Sequence, residues 1–146
     1  LEKMISGMYM GEVVRQVLVD LCNENLIFVG QPIHNLMEHG RFYTRYTSEI
    51  ESDPVGKFTR TREALKDLGL EDVSDDDCSA VRYVCECVSR RAAFMVAAGI
   101  AALLKKMDYK DVVVAIDGSV FRYHPHFPNI MRSRILVVCF LFNFAL

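Results

Sequence analysis

The sequence predicts part of an α/β domain that is mostly helical and carries one buried hairpin. Three observations predict it. Apolar residues recur at helical spacing through most of the chain up to Met107. The run Val112-Val113-Val114-Ala115-Ile116 is continuously apolar, as in a short strand covered on both faces. Asp117-Gly118 follows it directly and is a strong hairpin signal.

The first element runs from about Glu2 to Glu24, with Val13, Val17, Leu18 and Leu21 on one side and Glu12, Arg15 and Asp20 among them. Gly7 and Gly11 fall in its early part. Each costs a helix roughly 1 kcal/mol relative to Ala, so a break is expected near Gly7, where a backbone without a side chain also admits a close neighbour or a ligand. A loop at Gly30-Gln31-Pro32 leads to a short helix over His34 to His39, closed by Gly40. Phe42 to Glu51 forms another, with Thr44, Thr47 and Ser48 on its polar side; Pro54 ends it. Phe58 to Leu68 is an amphipathic helix closed by Gly69.

Ser74 to about Met107 gives the longest signal. Ser74 suits an N-cap, Asp75, Asp76 and Asp77 put negative charge in the first turn, and Lys105 and Lys106 put positive charge in the last. Val81, Val84, Cys85, Val88, Ala92, Met95 and Gly99 form an apolar stripe, and the many small residues of its second half invite close packing. The helix should be central and buried on one face. Ser119 to Tyr123 reads as the strand returning from the Asp117-Gly118 turn, and Phe127 to Arg134 opens a final helix.

Composition narrows the function classes. Of 146 residues, 51% are hydrophobic and 25% charged, as in ordinary globular proteins. Lys plus Arg is 17 and Asp plus Glu is 19, a net charge of −2 that gives no electrostatic case for a nucleic-acid partner. The cysteine count is five, and Cys85 and Cys87 lack zinc-site spacing, so reduced thiols in the cytoplasm are expected. No secretory signal opens the chain. Ile135 to Leu146 reads ILVVCFLFNFAL, which as a helix spans ~18 Å and falls short of a ~30 Å hydrocarbon core, so no membrane span is expected there. Together with Leu1 at the start, this tail suggests a piece of a larger fold: residues 1–131 as part of a domain and 132–146 as an apolar tail foreign to it.

Four places invite a functional reading from their residues, and the first three also admit an ordinary structural role. Glu2 near Gly7 could accept hydrogen bonds from a polar ligand, or be a solvated helix end. Thr44, Thr47 and Ser48 beside Arg45 suit a phosphate, or a polar helix face. Asp117-Gly118-Ser119 could present N–H groups and a hydroxyl to phosphate oxygens, or be a tight turn. His124-Pro125-His126 offers two imidazoles, but no acid or thiol at a fitting spacing completes a metal site. There is no GxGxxG, no GxxxxGK[ST] and no nucleophile–base pairing.

As strings, these places resemble the C-terminal part of the hexokinase family, the ATP-dependent hexose kinases of eukaryotes. EKMISGMYMGE from Glu2 to Glu12 matches a family segment almost letter for letter. TRYTSEIESD from Thr44 to Asp53 is similar to TKFLSQIESD, VSRRAA from Val88 to Ala93 is shared, and IDGSVFRYHPHF from Ile116 to Phe127 is similar to VDGSVYKLHPHF. The resemblance runs from Leu1 to about Met131 in one order.

It implies a ribonuclease-H-like, actin/hexokinase-type ATPase fold, of which this chain is a large-lobe fragment. It implies transfer of the γ-phosphoryl group of ATP, with Mg²⁺, to the 6-hydroxyl of a hexose such as glucose, the first step of glycolysis. Glu2 takes the place of a glutamate that binds sugar hydroxyls. Gly7 and Met8 match a nucleotide-contacting pair, as do Thr44, Arg45, Tyr46, Thr47 and Ser48, and then Ser119, Val120, Phe121, Arg122 and Tyr123. Tyr43 and Glu49 replace the family's Glu and Gln and read as tolerated surface changes. The first phosphate loop, the general-base aspartate and the glycine-rich adenosine segment have no counterpart, so the chain alone is expected to be inactive.

Overall fold

The computed structural model describes residues 1–107 and 112–141. The expected break at Gly7 divides the first element into α1 (Glu2–Ile5) and α2 (Met10–Asn23). α2 buries Met10, Val14 and Leu18 on one face. α3 (His34–Met37) is shorter than its sequence suggests. Glu38 is already extended, and Gly40, at φ +77°, shapes the following turn instead of capping the helix. α4 (Thr44–Glu51) and α5 (Thr59–Asp67) form as expected, and Gly69, at φ +79°, closes the turn after α5.

α6 (Asp75–Met107) is the spine: α1, α2, α4, α5 and the last helix all pack on it. Its start is a reciprocal cap. Ser74 Oγ accepts the Asp77 N–H at 3.0 Å and donates to Asp77 Oδ2 at 2.8 Å. The buried stripe follows Val81, Val84, Cys85, Val88 and Ala92 as expected, with Cys78 added at its start, then turns to Ala93, Ala97 and Ala101, leaving Met95 and Gly99 half-buried. α8 (Phe127–Leu141) packs along α6, and its Phe127 and Met131 join the core. By length and composition α6 is apolar enough to cross a bilayer, yet it lies at the centre of the other helices. α8 continues without interruption across Arg132.

The expected buried hairpin does not form. Val112 to Ile116 carries no ladder, no strand occurs among the described residues, and Val113 is 95% exposed. A two-stranded ribbon is marginal without a third strand or a covering layer, and no such partner is present among those residues. The returning strand is instead a helix, α7 (Ser119–Tyr123). Asp117 Oδ1 accepts the Gly118 N–H at 2.9 Å, and Arg122 Nη2 reaches the same carboxylate oxygen at 2.5 Å. Gly118 is the N-cap of this helix, and Val120 and Phe121 on it pack against the core.

The described thiols Cys22, Cys78, Cys85 and Cys87 are free, the first three buried. Burial pushes the Cys85 thiol well above its ordinary range.

Candidate functional site

Two adjoining cavities meet at Gly7, Ser119 and Val120. The first, about 420 Å³, lies between the polar face of α4 and one side of α7. Thr44, Arg45 and Ser48 form one wall, and Ser119, Val120 and Tyr123 the other, with Gly7 between them. At Gly7 the fit is close: a Cβ there would come within 2.8 Å of Val120 Cγ2. The second cavity, about 580 Å³, continues from that junction to Glu2 and Met8, with Phe121 and Gly118 on its far side. The three sequence-distant segments therefore line two neighbouring cavities that share Gly7, Ser119 and Val120.

The polar groups of the first cavity suit an anion. Thr44 Oγ1 accepts the Gly11 N–H at 2.9 Å, which fixes the hydroxyl and leaves its own hydrogen to donate. The Ser48 and Ser119 hydroxyls lie on opposite walls. Arg45 is held over the rings of Tyr43 and Tyr46, 5.2 and 5.1 Å from their centroids. Glu2 lies exposed at the rim of the second cavity, a carboxylate able to accept from hydroxyl donors.

Not every residue singled out by sequence faces these cavities. Tyr46 is 3% exposed, stacks edge-on to Phe42 and donates its hydroxyl to Asp67 Oδ2 at 3.3 Å. Thr47 is fully buried. Tyr46, two residues from both Thr44 and Ser48, falls on the core side of α4 by helical offset, and Thr47 lies at the edge of the polar face where it meets the core. Arg122 lines neither cavity and spends its charge on Asp117.

Other residues join the wall that sequence reading passed over. Ser52 follows Thr44 and Ser48 at four-residue intervals, a periodicity that would have found it. Glu49 lines the cavity, so its replacement of the family's Gln is more than a surface change. Arg60 comes from the start of α5, held by its Nη1 donating to Ser52 Oγ at 2.9 Å, and no local signal announces it.

The hexokinase family model matches residues 1–140. The chain belongs to the hexokinase family. Human hexokinase HKDC1 is 40% identical over 140 residues, which cover 92% of this chain and 15% of that protein. Human hexokinase-1 is 41% identical over the same shares. The solved hexokinase of Schistosoma mansoni complexed with glucose superposes with a TM-score of 0.89 at 36% identity, covering 93% of this chain and 31% of that one. The fold is thus actin/hexokinase-like. The chain spans about 15% of the length of the curated hexokinases it matches.

Proposed function

We propose that this chain supplies the nucleotide-facing wall, and one sugar-facing carboxylate, of a hexokinase-type phosphotransferase. The parent reaction moves the γ-phosphoryl group of ATP to the 6-hydroxyl of a hexose such as glucose, a glycolytic step carried out in the cytoplasm. The observation that carries the reading is the meeting of Gly7, the Thr44–Ser48 face and Ser119 around one depression. The Thr44, Ser48 and Ser119 hydroxyls donate to phosphate oxygens, and Arg45 and Arg60 offset their charge. Glu2 accepts from sugar hydroxyls at the far end. The glucose in the solved relative supports a hexose as the second ligand.

The Mg²⁺ that the family uses finds no cage here. Among the described residues no three His, Cys, Asp or Glu side chains gather, and Glu49 is the one carboxylate on the first cavity. That donor set suits phosphate oxygens, with the cation carried on the nucleotide. Nucleic acid and membrane are not proposed as partners; the net charge is −2, and α6 serves as the spine of the packed helices.

Phosphoryl transfer of this type relies on positioning and a base for the attacking hydroxyl. The family resemblance assigns that base to no residue of this chain. Titrating the 146-residue chain with MgATP by calorimetry should therefore give saturable binding, while a coupled assay with glucose gives no turnover. Absence of nucleotide binding would overturn the reading of the cavity, and turnover would overturn the assignment of the base.

A further inference from the structure

The two walls of the nucleotide cavity come from α4 and α7, which are separated by about seventy residues of sequence. Behind them lies a buried polar cluster that the proposed chemistry does not use. Glu51, the last residue of α4, is 2% exposed, and His124, the first residue after α7, is 3% exposed. His124 Nε2 stands 3.2 Å from Glu51 Oε1. His124 Nδ1 accepts the backbone N–H groups of His126 and Phe127, each at 3.2 Å. An imidazole nitrogen that accepts carries no hydrogen, so the ring hydrogen sits on Nε2 and points at the carboxylate. Ser89 Oγ on α6 donates to the same carboxylate oxygen at 2.7 Å. His126 Nε2 lies 3.1 Å from the Glu51 backbone carbonyl.

Among the described residues, every hydrogen bond joining α7 and its following turn to α4 ends on Glu51. The cluster is arranged for fixing positions and not for nucleophilic chemistry. Ser89 gives its hydrogen to Glu51 and has no imidazole to take it, and the carboxylate is closed to solvent. A buried carboxyl group whose donors all come from neighbouring elements favours one spacing of those elements, because breaking a donor leaves a buried polar group unsatisfied.

We propose that Glu51 and His124 form a positioning pair that fixes α7 against α4, and through them the width of the cavity between Ser48 and Ser119. The proposal rests on the nucleotide reading for its consequence, but the strut itself is measurable without a ligand.

The test compares the 146-residue chain with His124→Leu, His124→Gln and Glu51→Gln, by amide hydrogen exchange and by MgATP titration. In His124→Leu, exchange at Arg122 and His124, whose N–H groups bond within α7, should rise about tenfold or more, while Val14 and Leu18 in α2 stay protected. MgATP affinity should fall about tenfold, as expected on losing a buried hydrogen-bond partner that holds one cavity wall. His124→Gln, which keeps a side-chain N–H donor, should recover part of both effects, and Glu51→Gln, which keeps the shape and one acceptor, should lie between. Unchanged exchange in α7, or equal loosening of α2 and α7, would overturn the strut. If the unaltered chain binds no MgATP, the nucleotide reading fails, and the exchange pattern alone still decides whether the strut exists. Should exchange rise in α7 while a measurable MgATP affinity stays constant, the link from strut to cavity width is refuted.

Discussion

Gly11 donates its backbone N–H to Thr44 Oγ1 at 2.9 Å, and this bond ties the first turn of α2 to the first turn of α4. The approach depends on the missing side chain. A Cβ on Gly11 would lie 2.6 Å from Thr44 N and 2.8 Å from Tyr43 C, both backbone atoms that cannot swing aside. Gly11→Ala should therefore destabilise the fold by about 3 kcal/mol, the upper range for overpacking, even though Ala is the better helix former. Thr44→Val keeps the shape but strands a part-buried N–H, and should cost about 1–2 kcal/mol. Chemical denaturation of both variants checks the order; a Gly11→Ala chain as stable as the original would contradict the packing argument.

Acid should weaken the joint between α2 and the loop after α3. The Glu12 carboxylate accepts Arg15 Nη2 at 2.6 Å and Nε at 2.8 Å, then the Gly40 N–H at 3.0 Å. Hydrogen bonding to the Arg15 guanidinium is the main cause that holds its pKa down at about 2, against an ordinary 4.5. A group whose pKa is lowered by folding contributes stability above its unfolded value and loses it as pH falls toward its folded one. The contribution, about 2 kcal/mol once partial exposure is allowed for, should be present above pH ~4.5 and fade between there and pH ~2. Arg15 Nη1 also holds the Leu36 and Met37 carbonyls, so the loss is felt across α3. Thermal melts of the chain and of Glu12→Gln through that window should converge at low pH; parallel curves would refute the account.

Asp53 holds the start of α5. Its Oδ1 accepts the Arg60 N–H at 3.1 Å, and its Oδ2 accepts both the Thr61 N–H and the Thr61 hydroxyl at 2.9 Å. The residue is 5% exposed and does the work of an N-cap from outside the helix, which has no side-chain cap of its own. Asp53→Ala should cost about 2–3 kcal/mol, because it orphans several donors at once. Since Arg60 lines the cavity proposed for the nucleotide, the same change should also weaken MgATP binding in proportion to the fraying of that turn. Loss of stability with α5 amides still protected would show that the cap is not where the cost arises.

Local signals served well where they were redundant. α6 was legible because a capping serine, three aspartates and two terminal lysines agree with its apolar stripe. The break at Gly7 was legible because two glycines weaken one short stretch. The hairpin reading fails because Asp-Gly supports either a turn or a helix start, and among the described residues there is no strand for Val112 to Ile116 to pair with. The family string groups Tyr46 with Ser48, whereas helical geometry sends it to the opposite face; the hydroxyl pattern groups Thr47 with Thr44 and Ser48, but packing buries it at the edge of the core. The Glu51–His124 contact joins residues 73 apart, and no pattern in either neighbourhood signals the other. Likewise, spacing alone could not bring Gly7, Ser48 and Ser119 together; only the four family strings implied it.

The contact of Gly7 with Val120 lies where the two cavities join, and it offers a way to separate binding from folding. Gly7 is not among the positive-φ glycines, so Ala is acceptable to the backbone there. Its Cβ would press on Val120 Cγ2 at 2.8 Å, and Val120 is only half-buried, so the valine can shift. The strain should thus cost no more than about 1 kcal/mol in stability. Its displacement would fall on the passage between the phosphate-facing hydroxyls and the carboxylate of Glu2. MgATP affinity should then drop several-fold in Gly7→Ala and return in the double variant Gly7→Ala/Val120→Ala, where the missing methyl groups make room. Such a return is a coupling between two contacting residues, measurable as a double-mutant cycle. Additive losses would mean that Val120 does not transmit the effect, and that the glycine matters for some reason other than the space it leaves.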